Sequence, residues 1–386
     1  MTADVIYLDN NATTCVAPEV FEAMKPFLTT YYGNASSIHT FGGQVGAAVR
    51  EARESLARLI GAEPDEIIFT SCGTESDNAA MLSALENDVR RRHIVTSKVE
   101  HPAVLGLCKR LHERGYKIDY CPVNNRGQLC MSALCELVTD QTALVSIMWA
   151  NNETGNIYPV FEAAEIAHQS GALFHTDAVQ AVGKVPIDLR QNNIDFLSLS
   201  GHKLHAPKGI GALYIKRRTK FYPSMIGGHQ EDGRRAGTEN VAGIVALGEA
   251  ARLAGEHIEE ENTRVSAMRD RLESGILKQC PDAFVNGNPR SRLPNTTNIS
   301  FSYIEGESIL LHLDQHGIAA SSGSACTSGS LEPSHVLRAM GVPEIKLHGS
   351  LRLSLSRYTT DREIDKTLKT LPPIVEELRS ISPYGR

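Results

Sequence analysis

Short apolar runs alternate along the first 216 residues with segments whose apolar residues recur at helical spacing. Segments 78–92 and 160–171 show that helical spacing most clearly. Alternating strands and helices predict an α/β fold with a large, mostly parallel seven-stranded sheet covered by helices on both faces. In such a sheet, ligands bind beyond the carboxyl ends of the strands. The predicted strands are 66–71, 93–97, 117–123, 143–150, 171–177, 194–200 and 211–216.

The pattern changes from about residue 255. Residues 256–280 predict a long amphipathic helix, followed by the apolar runs NTTNISFSYI and LRLSLS and by a last helix from 361. We therefore expect a cofactor-binding large domain, 15–262, and a small α+β domain formed by 1–14 and 263–386. The apolar side of the long helix consists of Ile258, Val265, Met268, Leu272 and Ile276.

Composition narrows the class of protein. Among 386 residues, 41% are hydrophobic and 22% charged, as in a soluble globular protein. A net charge of −6 without a long basic run argues against nucleic acid and anionic membranes as partners. No apolar stretch reaches membrane-spanning length, and the start has no signal-peptide pattern, so a cytoplasmic location is expected. The eight cysteines form no C-x-x-C pair, which favours neither a zinc knuckle nor a disulfide framework.

One cysteine has unusual neighbours. Cys326 lies in SSGSACTSGS (321–330), where small polar residues and glycines predict a solvated loop rather than a core segment. The loop alone leaves two interpretations open: the thiol is incidental, or the chemistry needs a thiol that travels.

Three further features follow predicted strands. SCGTES (71–76) opens a helix and is either an ordinary capped helix start or a phosphate cradle. Asp177 ends a strand, with Gln180 three residues later, and by itself favours a structural role. Lys203 follows the next strand, 26 residues after Asp177, where a lone lysine is usually surface.

Taken together, a phosphate cradle, an aspartate and a lysine at one sheet edge fit pyridoxal phosphate. The cradle would hold the phosphate, and Asp177 would keep the pyridine nitrogen protonated, which makes the ring an electron sink. Lys203 would bind the aldehyde as a Schiff base, although a free lysine has a pKa of about 10.4 and must lose its proton first.

At this point the chain resembles the cysteine desulfurases over essentially its whole length. It is most similar to the branch with the longer cysteine loop, which includes the nitrogen-fixation and housekeeping iron–sulfur enzymes. The matching motifs, in chain order, are YLDNNATT (7–14), NASS (34–37), TSCGTES (70–76), EHPAV (100–104), NNETG (151–155), HTDAVQ (175–180), SLSGHKLHAPKGIGALY (198–214), GGHQEDGRRAGTEN (227–240), SSGSACTSGSLEPSHVLRAMG (321–341) and LRLSLSRYTT (351–360).

The resemblance implies a fold-type I pyridoxal phosphate enzyme that works as a homodimer. It implies that Lys203 carries the cofactor, that His101 stacks on its ring and shuttles protons, and that Thr238 reaches the phosphate from the other subunit. Arg352 would bind the substrate carboxylate, helped by Asn34 and Asn152. The implied cofactor-binding residues are Cys72, Gly73, Thr74, His101, Asn152, Asp177, Gln180, Ser200, Gly201, His202, Lys203 and Thr238.

The resemblance also gives Cys326 a role. As a thiolate it would attack the sulfur of bound L-cysteine, leaving alanine and a persulfide that passes to an iron–sulfur scaffold protein, and it would serve as a transient ligand of a shared cluster. Cys72 departs from the alanine or glycine expected in the phosphate turn and is interpreted as a small filler. The chain ends soon after its last helix, which favours the nitrogen-fixation type.

Two rival functions remain. A selenocysteine lyase or an aminotransferase on the same fold would need no loop of small residues around a thiol, and a trial of selenocysteine against cysteine would separate them. A non-enzymatic sulfur carrier would not need Lys203 and Asp177 together with Cys326.

Overall fold

The computed structural model describes residues 5–322 and 333–383. Its centre is a seven-stranded sheet in the order β2-β8-β7-β6-β5-β3-β4. All neighbours pair in parallel except β8, which is antiparallel to both β2 and β7. The predicted seven-stranded, mostly parallel sheet is confirmed. Its strands are β2 (Ile67–Thr70), β3 (His93–Ser97), β4 (Lys117–Cys121), β5 (Thr142–Ser146), β6 (Leu173–Asp177), β7 (Phe196–Ser200) and β8 (Gly211–Ile215).

The predicted strand 143–150 is too long at its carboxyl end. β5 stops at Ser146. Beyond it, the Met148 N–H is taken by the side chain of Glu100, with 3.1 Å to each carboxylate oxygen. A side-chain acceptor thus replaces the ladder on the β3 side only. Towards β6 the backbone bonds continue, because the Ile147 and Trp149 N–H groups donate to the carbonyl oxygens of His175 and Asp177, at 3.1 and 2.8 Å.

Helices cover both faces of the sheet. Leu56, Ile60 and Leu247 belong to a buried apolar core on one face, while Met81 and Leu111 belong to a separate core on the other. The helices are α1 (Pro18–Met24), α2 (Pro26–Thr29), α3 (Thr40–Ile60), α4 (Gly73–Asn87), α5 (Pro102–Glu113), α6 (Met131–Leu137), α7 (Val160–Gln169), α8 (Val241–Glu260), α9 (Ser266–Gln279), α10 (Gly306–Gln315), α11 (His335–Ala339), α12 (Glu344–Leu347) and α13 (Asp361–Ile381).

A smaller unit has its own sheets and core. β9 (Ala283–Val285), β10 (Thr296–Phe301) and β12 (Ser350–Ser354) form an antiparallel sheet, and β1 (Ile6–Tyr7) pairs in parallel with β11 (Ile318–Ala319). Its core includes residues from both ends of the chain. On this separation of cores we propose the division into 15–262 and 1–14 with 263–386.

The long helix predicted over 256–280 is part of a longer one. α8 and α9 are joined by a π-helical turn, Glu261–Val265. Of the predicted apolar side, Val265, Met268, Leu272 and Ile276 are buried in the small unit's core, whereas Ile258 is half-buried. The helix therefore leaves the core of the large sheet and enters that of the small unit.

The N-terminal segment crosses the carboxyl ends of the central strands. Backbone N–H groups of Thr14 and Ala17 donate to the carbonyl oxygens of His202 and His205, at 3.0 and 2.9 Å. This crossing closes one side of the sheet edge at which the predicted site residues lie. No helix within 5–322 or 333–383 is long and apolar enough to cross a membrane.

Candidate active site

A cavity of about 320 Å³ lies at the carboxyl ends of the central strands. Sequence reasoning missed five of its lining residues: Asn11, Ala12, Asp77, Met148 and Val179. Three predicted residues, Asn34, Gly201 and Thr238, do not line it. The predicted residues that do are Cys72, Gly73, Thr74, His101, Asn152, Asp177, Gln180, Ser200, His202, Lys203 and Arg352.

One end of the cavity is the N-terminus of α4. Its N-cap residue, Cys72, makes no side-chain capping bond. The first backbone N–H groups of a helix have no intrahelical acceptor, and the helix dipole adds positive potential there. An anionic group at this end would satisfy both features.

The walls of this end are close-fitting. The buried Ser200 hydroxyl has no hydrogen-bond partner among the described residues. A Cβ added at Gly73 would lie 2.7 Å from Cγ2 of Val179. His202 Nδ1 lies 3.1 Å from the Thr13 hydroxyl, and burial, with nearby lysines, lowers the pKa of His202 to about 4. A neutral imidazole, an unpartnered hydroxyl and bare helix N–H groups fit a phosphate.

Asp177 lies on the sheet side of the cavity. Its Oδ1 accepts from the Val179 N–H at 2.9 Å. Burial raises the pKa of Asp177 to about 6, and nearby Asp77 adds to the shift. A cation beside Asp177 would remove this penalty, so the carboxylate fits a protonated ring nitrogen.

Asp77 adds a second carboxyl group, which comes from the first turns of α4. It is fully buried, which raises the pKa of Asp77 to about 7. Its Oδ1 lies 3.4 Å from His175 Nε2, and the His175 ring contacts the hydroxyls of Ser146 and Ser198 at 2.8 and 3.0 Å. Burial lowers the pKa of His175 to about 4, so a neutral imidazole and two hydroxyls lie beside the Asp77 carboxyl group.

Lys203 extends from the turn after β7 to the N-terminal segment. Its Nζ donates to the carbonyl oxygens of Asn11 and Ala12, the latter at 2.6 Å. The backbone of the YLDNNATT motif therefore holds the Lys203 amine at the cavity. The sequence does not predict this role, because a backbone carbonyl can accept a hydrogen bond whatever its side chain is.

His101 occupies the opposite wall and caps α5. Its Nδ1 accepts from the Ala103 N–H at 3.2 Å, which leaves the proton of a neutral ring on Nε2. The preceding residue, Glu100, is fully buried and accepts from the Ser97 hydroxyl at 2.6 Å. These two bonds fix the turn that presents the imidazole.

Arg352 lies on β12 of the small unit and lines the cavity. Its Nη1 donates to the Asn152 carbonyl at 2.9 Å, and its Nη2 donates to Asp9 at 2.7 Å. Its buried Nε has no hydrogen-bond partner among the described residues. Arg352 lines the cavity and has one N–H without a partner, and such a guanidinium fits a small carboxylate.

The predicted nucleophile and suggested cluster ligand, Cys326, lies outside the described residues. The segments on either side of 323–332 are both attached near the cavity. Ser321 exchanges backbone hydrogen bonds with Arg352. The Ser334 hydroxyl donates to the carboxylate of Glu153, and His335 Nε2 contacts the Glu100 carbonyl at 2.9 Å. Within 5–322 and 333–383, no group of three or more His, Cys, Asp or Glu residues could hold a metal ion.

Thr238 lines a separate cavity of about 190 Å³, together with Glu231 and Arg235. The exposed Asn34 caps its own turn by accepting from the Ser36 N–H at 2.8 Å. The Ser36 hydroxyl lies 3.4 Å from Glu239, so both regions share one surface. The chain segments next to these two regions carry large exposed apolar side chains, among them Leu28, Tyr32, Ile38, Met225 and Ile226.

The fold and this cavity define a fold-type I enzyme of the pyridoxal phosphate class. The model of the class-V aminotransferase family matches residues 6–367. The chain belongs to that family and, within it, to the cysteine desulfurases, as the sequence had predicted.

Similar proteins cover almost the whole chain. A cysteine desulfurase of Trichormus azollae is 60% identical over 98% of this chain and 95% of its own length. Cysteine desulfurase NifS of Azotobacter vinelandii is 59% identical over 98% of this chain and 94% of its own. The solved structure of a NifS-like protein superposes with a TM-score of 0.91 at 39% identity, covering 97% of this chain and all of that one.

Proposed function

We propose that this protein is a pyridoxal phosphate-dependent cysteine desulfurase that converts L-cysteine to L-alanine and transfers the sulfur to Cys326. The observation that carries the proposal is the single cavity that brings Lys203, Asp177, the N-terminus of α4 and Arg352 together. Each group matches a different part of the reactants: an aldehyde, a ring nitrogen, a phosphate and a substrate carboxylate.

Pyridoxal phosphate, when bound, supplies an aldehyde that condenses with amines and a ring that withdraws electrons from the adjacent carbon. Gly73, Thr74, Ser200 and His202 hold its phosphate, with Cys72 and Gly201 completing the two turns. Asp177 would keep the ring nitrogen charged, and Gln180, which lines the same cavity, would donate to the ring oxygen.

Lys203 has two duties. Its amine would hold the cofactor through the aldehyde, and its Nζ as a free amine would accept the proton from the substrate Cα. The carbonyls of Asn11 and Ala12 hold the amine near the cavity. His101 would stack on the ring and move a proton at Nε2. Arg352 would orient the substrate through its carboxylate, helped by Asn152 and by Asn34.

Cys326 completes the reaction. Its thiolate attacks the sulfur of the substrate, a bond forms between the two sulfur atoms, and the Cβ–S bond breaks with its electron pair on carbon. Protonation of that carbon yields alanine, and Cys326 carries the persulfide. Support comes from the motif around Cys326 and from the attachment of both flanks, at Arg352 and at Glu100, beside the cavity.

The working form is a homodimer in which Thr238 completes the phosphate site of the partner. The exposed apolar side chains of the segments near Asn34 and Thr238, among them Tyr32 and Ile226, support this interface, because exposed apolar groups are covered in stable assemblies. The persulfide passes to an iron–sulfur scaffold protein, of the nitrogen-fixation type by analogy with the NifS relative. We place the enzyme in the cytoplasm.

The test is covalent trapping. Purified protein loaded with pyridoxal phosphate is reduced with borohydride, digested and mapped by mass spectrometry. The expected label is on Lys203, and Lys203→Ala should lose both the label and alanine formation, by a factor of at least about 100 for a missing base. Lys278→Ala, at an exposed lysine of α9, is the matched control. Alanine production that survived in Lys203→Ala would refute the proposal.

A further inference from the structure

A second lysine lies behind the cavity. Lys184 is buried, with 6% of its surface exposed. Its Nζ donates to Oε1 of Gln180 at 3.0 Å. The Nε2 of Gln180 donates to the carbonyl oxygen of Asn11 at 2.9 Å. That same carbonyl accepts from Nζ of Lys203. A continuous chain of hydrogen bonds thus joins Lys184 to the cofactor-binding lysine.

The polarity of this chain follows from the groups in it. An ammonium group has only donors, so it fixes the amide oxygen of Gln180 towards itself. A carbonyl has only acceptors, so Asn11 fixes the amide nitrogen on its side. If the amide were flipped, its NH₂ group would face the Lys184 ammonium and its oxygen would face the Asn11 carbonyl. Because one Nε2 hydrogen is used by Asn11, the second remains available to the cavity that Gln180 lines.

Glu261 supplies the opposite charge. It lies with Lys184 on the wall of a cavity of about 20 Å³, which also touches Lys203 and Arg357. Such a space holds one water molecule when it is lined by polar groups. Oε2 of Glu261 has no hydrogen-bond partner among the described residues, so a water there would connect the carboxylate to its surroundings.

The position of Glu261 comes from the long helix. It begins the π-helical turn between α8 and α9, next to Asn262, whose side chain donates to the Lys184 carbonyl at 2.9 Å. Burial lowers the pKa of Lys184 and Arg352 works in the same direction, while the Glu261 carboxylate opposes both. The titratable and charged groups that share the small cavity with Lys184 are Glu261, Arg357, Lys203 and His205. Arg352 and His202 also interact with its charge.

We propose that Lys184 is a positioning residue that locks the Gln180 amide with its NH₂ group towards the cavity. Gln180 then donates to an anionic ring oxygen of the bound cofactor and to the carbonyl that holds Lys203. The inference rests on the proposed function, since it needs a cofactor linked to Lys203. It assigns to Lys184 no contact with substrate or cofactor.

The test is the protonation midpoint of the Lys203–cofactor linkage, followed by visible absorbance against pH in the holoenzyme. Lys184→Met removes the donor, so the Gln180 amide is free to flip and the ring oxygen loses its hydrogen bond. The midpoint should rise by about one pH unit, the size of a lost hydrogen bond to a charged group. Lys184→Arg should keep the midpoint close to the wild-type value, because it keeps a donor at this position, and Lys278→Met should leave the midpoint unchanged.

A double-mutant cycle separates positioning from plain charge, since removing any nearby cation also raises the midpoint. If Lys184 acts through Gln180, then Lys184→Met should cause little further shift in a Gln180→Met background. An equal shift in both backgrounds, or none in the wild type, would overturn the inference.

Two further comparisons complete the test. Should Lys184→Met fail to fold because Glu261 is left unpaired, the double variant Lys184→Met/Glu261→Gln removes both charges and is read in the same way. A wild type that formed no Lys203 linkage would overturn the proposed function, and this inference with it. If the wild type forms the Lys203 linkage and Lys184→Met has the same protonation midpoint, this inference is wrong and the proposed function stands.

Discussion

Arg352 and Asp9 form an ion pair at the junction of the two units, with Nη2 2.7 Å from Oδ1. The arginine is almost fully buried, whereas the aspartate keeps 18% of its side chain exposed. Asp9 therefore holds the guanidinium in place from one side, while the Nε side has no partner among the described residues. A substrate carboxylate would complete the coordination of the guanidinium rather than create it.

Arg352→Ala should therefore act on substrate binding. It removes the partner of the substrate carboxylate and a bond to the Asn152 carbonyl, and it leaves Asp177, Gln180 and the phosphate turn at the start of α4 in place. We expect KM for cysteine to rise on the order of 100-fold, as for loss of two charge-assisted hydrogen bonds. Arg352→Lys should recover part of the loss, because it keeps the charge without the fork. Steady-state kinetics and cofactor absorbance check this: a collapsed cofactor spectrum with unchanged affinity for cysteine would contradict it.

Gly73→Ala should weaken cofactor binding. The new Cβ would lie 2.7 Å from Cγ2 of Val179, inside van der Waals contact, at the N-terminus that faces the phosphate. The Kd of pyridoxal phosphate for the apoprotein, measured by fluorescence or calorimetry, should increase about tenfold, which corresponds to an overpacking cost of 1–3 kcal/mol.

The control for this prediction is internal to the chain. Val179→Ala in the Gly73→Ala background should restore most of the affinity by removing the clash. Gly106→Ala on α5, where an added Cβ meets nothing within 4 Å, should leave the Kd unchanged. If Gly73→Ala bound pyridoxal phosphate with the wild-type Kd, the close contact at Gly73 would not matter for cofactor binding.

The strand-end chemistry was predictable from sequence for a geometric reason. In a parallel sheet, residues that follow adjacent strands meet at one edge, and β6 and β7 bring Asp177 and Lys203 there. The same argument could not reach Asn11 or Ala12, which act through backbone carbonyls of a segment more than 150 residues away in the chain.

Buried polar partners were harder to predict. In the sequence, Asp77 is an ordinary residue near the start of a helix. The structure buries it beside His175 and in the wall of the cavity. Lys184 reads as a surface lysine after a glycine, and its burial depends on the position of a helix that begins near residue 241. A sequence pattern reports local periodicity, whereas these contacts depend on tertiary packing.

Glu100→Gln should change how stability depends on pH. Burial raises the pKa of Glu100 from an ordinary value of 4.5 to about 8. Between these values the unfolded chain loses the proton while the folded chain keeps it, so the free energy of unfolding falls as pH rises. Glutamine has no proton to lose, and the variant should show a smaller decline, by about 1.4 kcal/mol per pH unit within this window.

Thermal unfolding of the apoprotein between pH 5 and 8 measures the difference. Glu86→Gln, at an exposed glutamate of α4, is the control and should follow the wild type. Parallel pH profiles for wild type and Glu100→Gln would mean that Glu100 is ionised in the folded protein.

Cys326→Ala tests the last step of the proposed reaction. Lys203, Asp177 and the phosphate turn all remain, so the variant should still bind pyridoxal phosphate and change colour when cysteine is added. Without the attacking thiolate, the substrate Cβ–S bond should stay intact. We expect protein persulfide and alanine release to fall to background, as measured by alkylation with mass spectrometry and by amino-acid analysis.

The exposed Cys135 gives the matched control, Cys135→Ala, which should keep both products. The wild-type protein carries the decisive comparison, because Cys72 also lines the cavity. A persulfide found on Cys72 with Cys326 unmodified would assign the sulfur transfer to the thiol at the start of α4 instead.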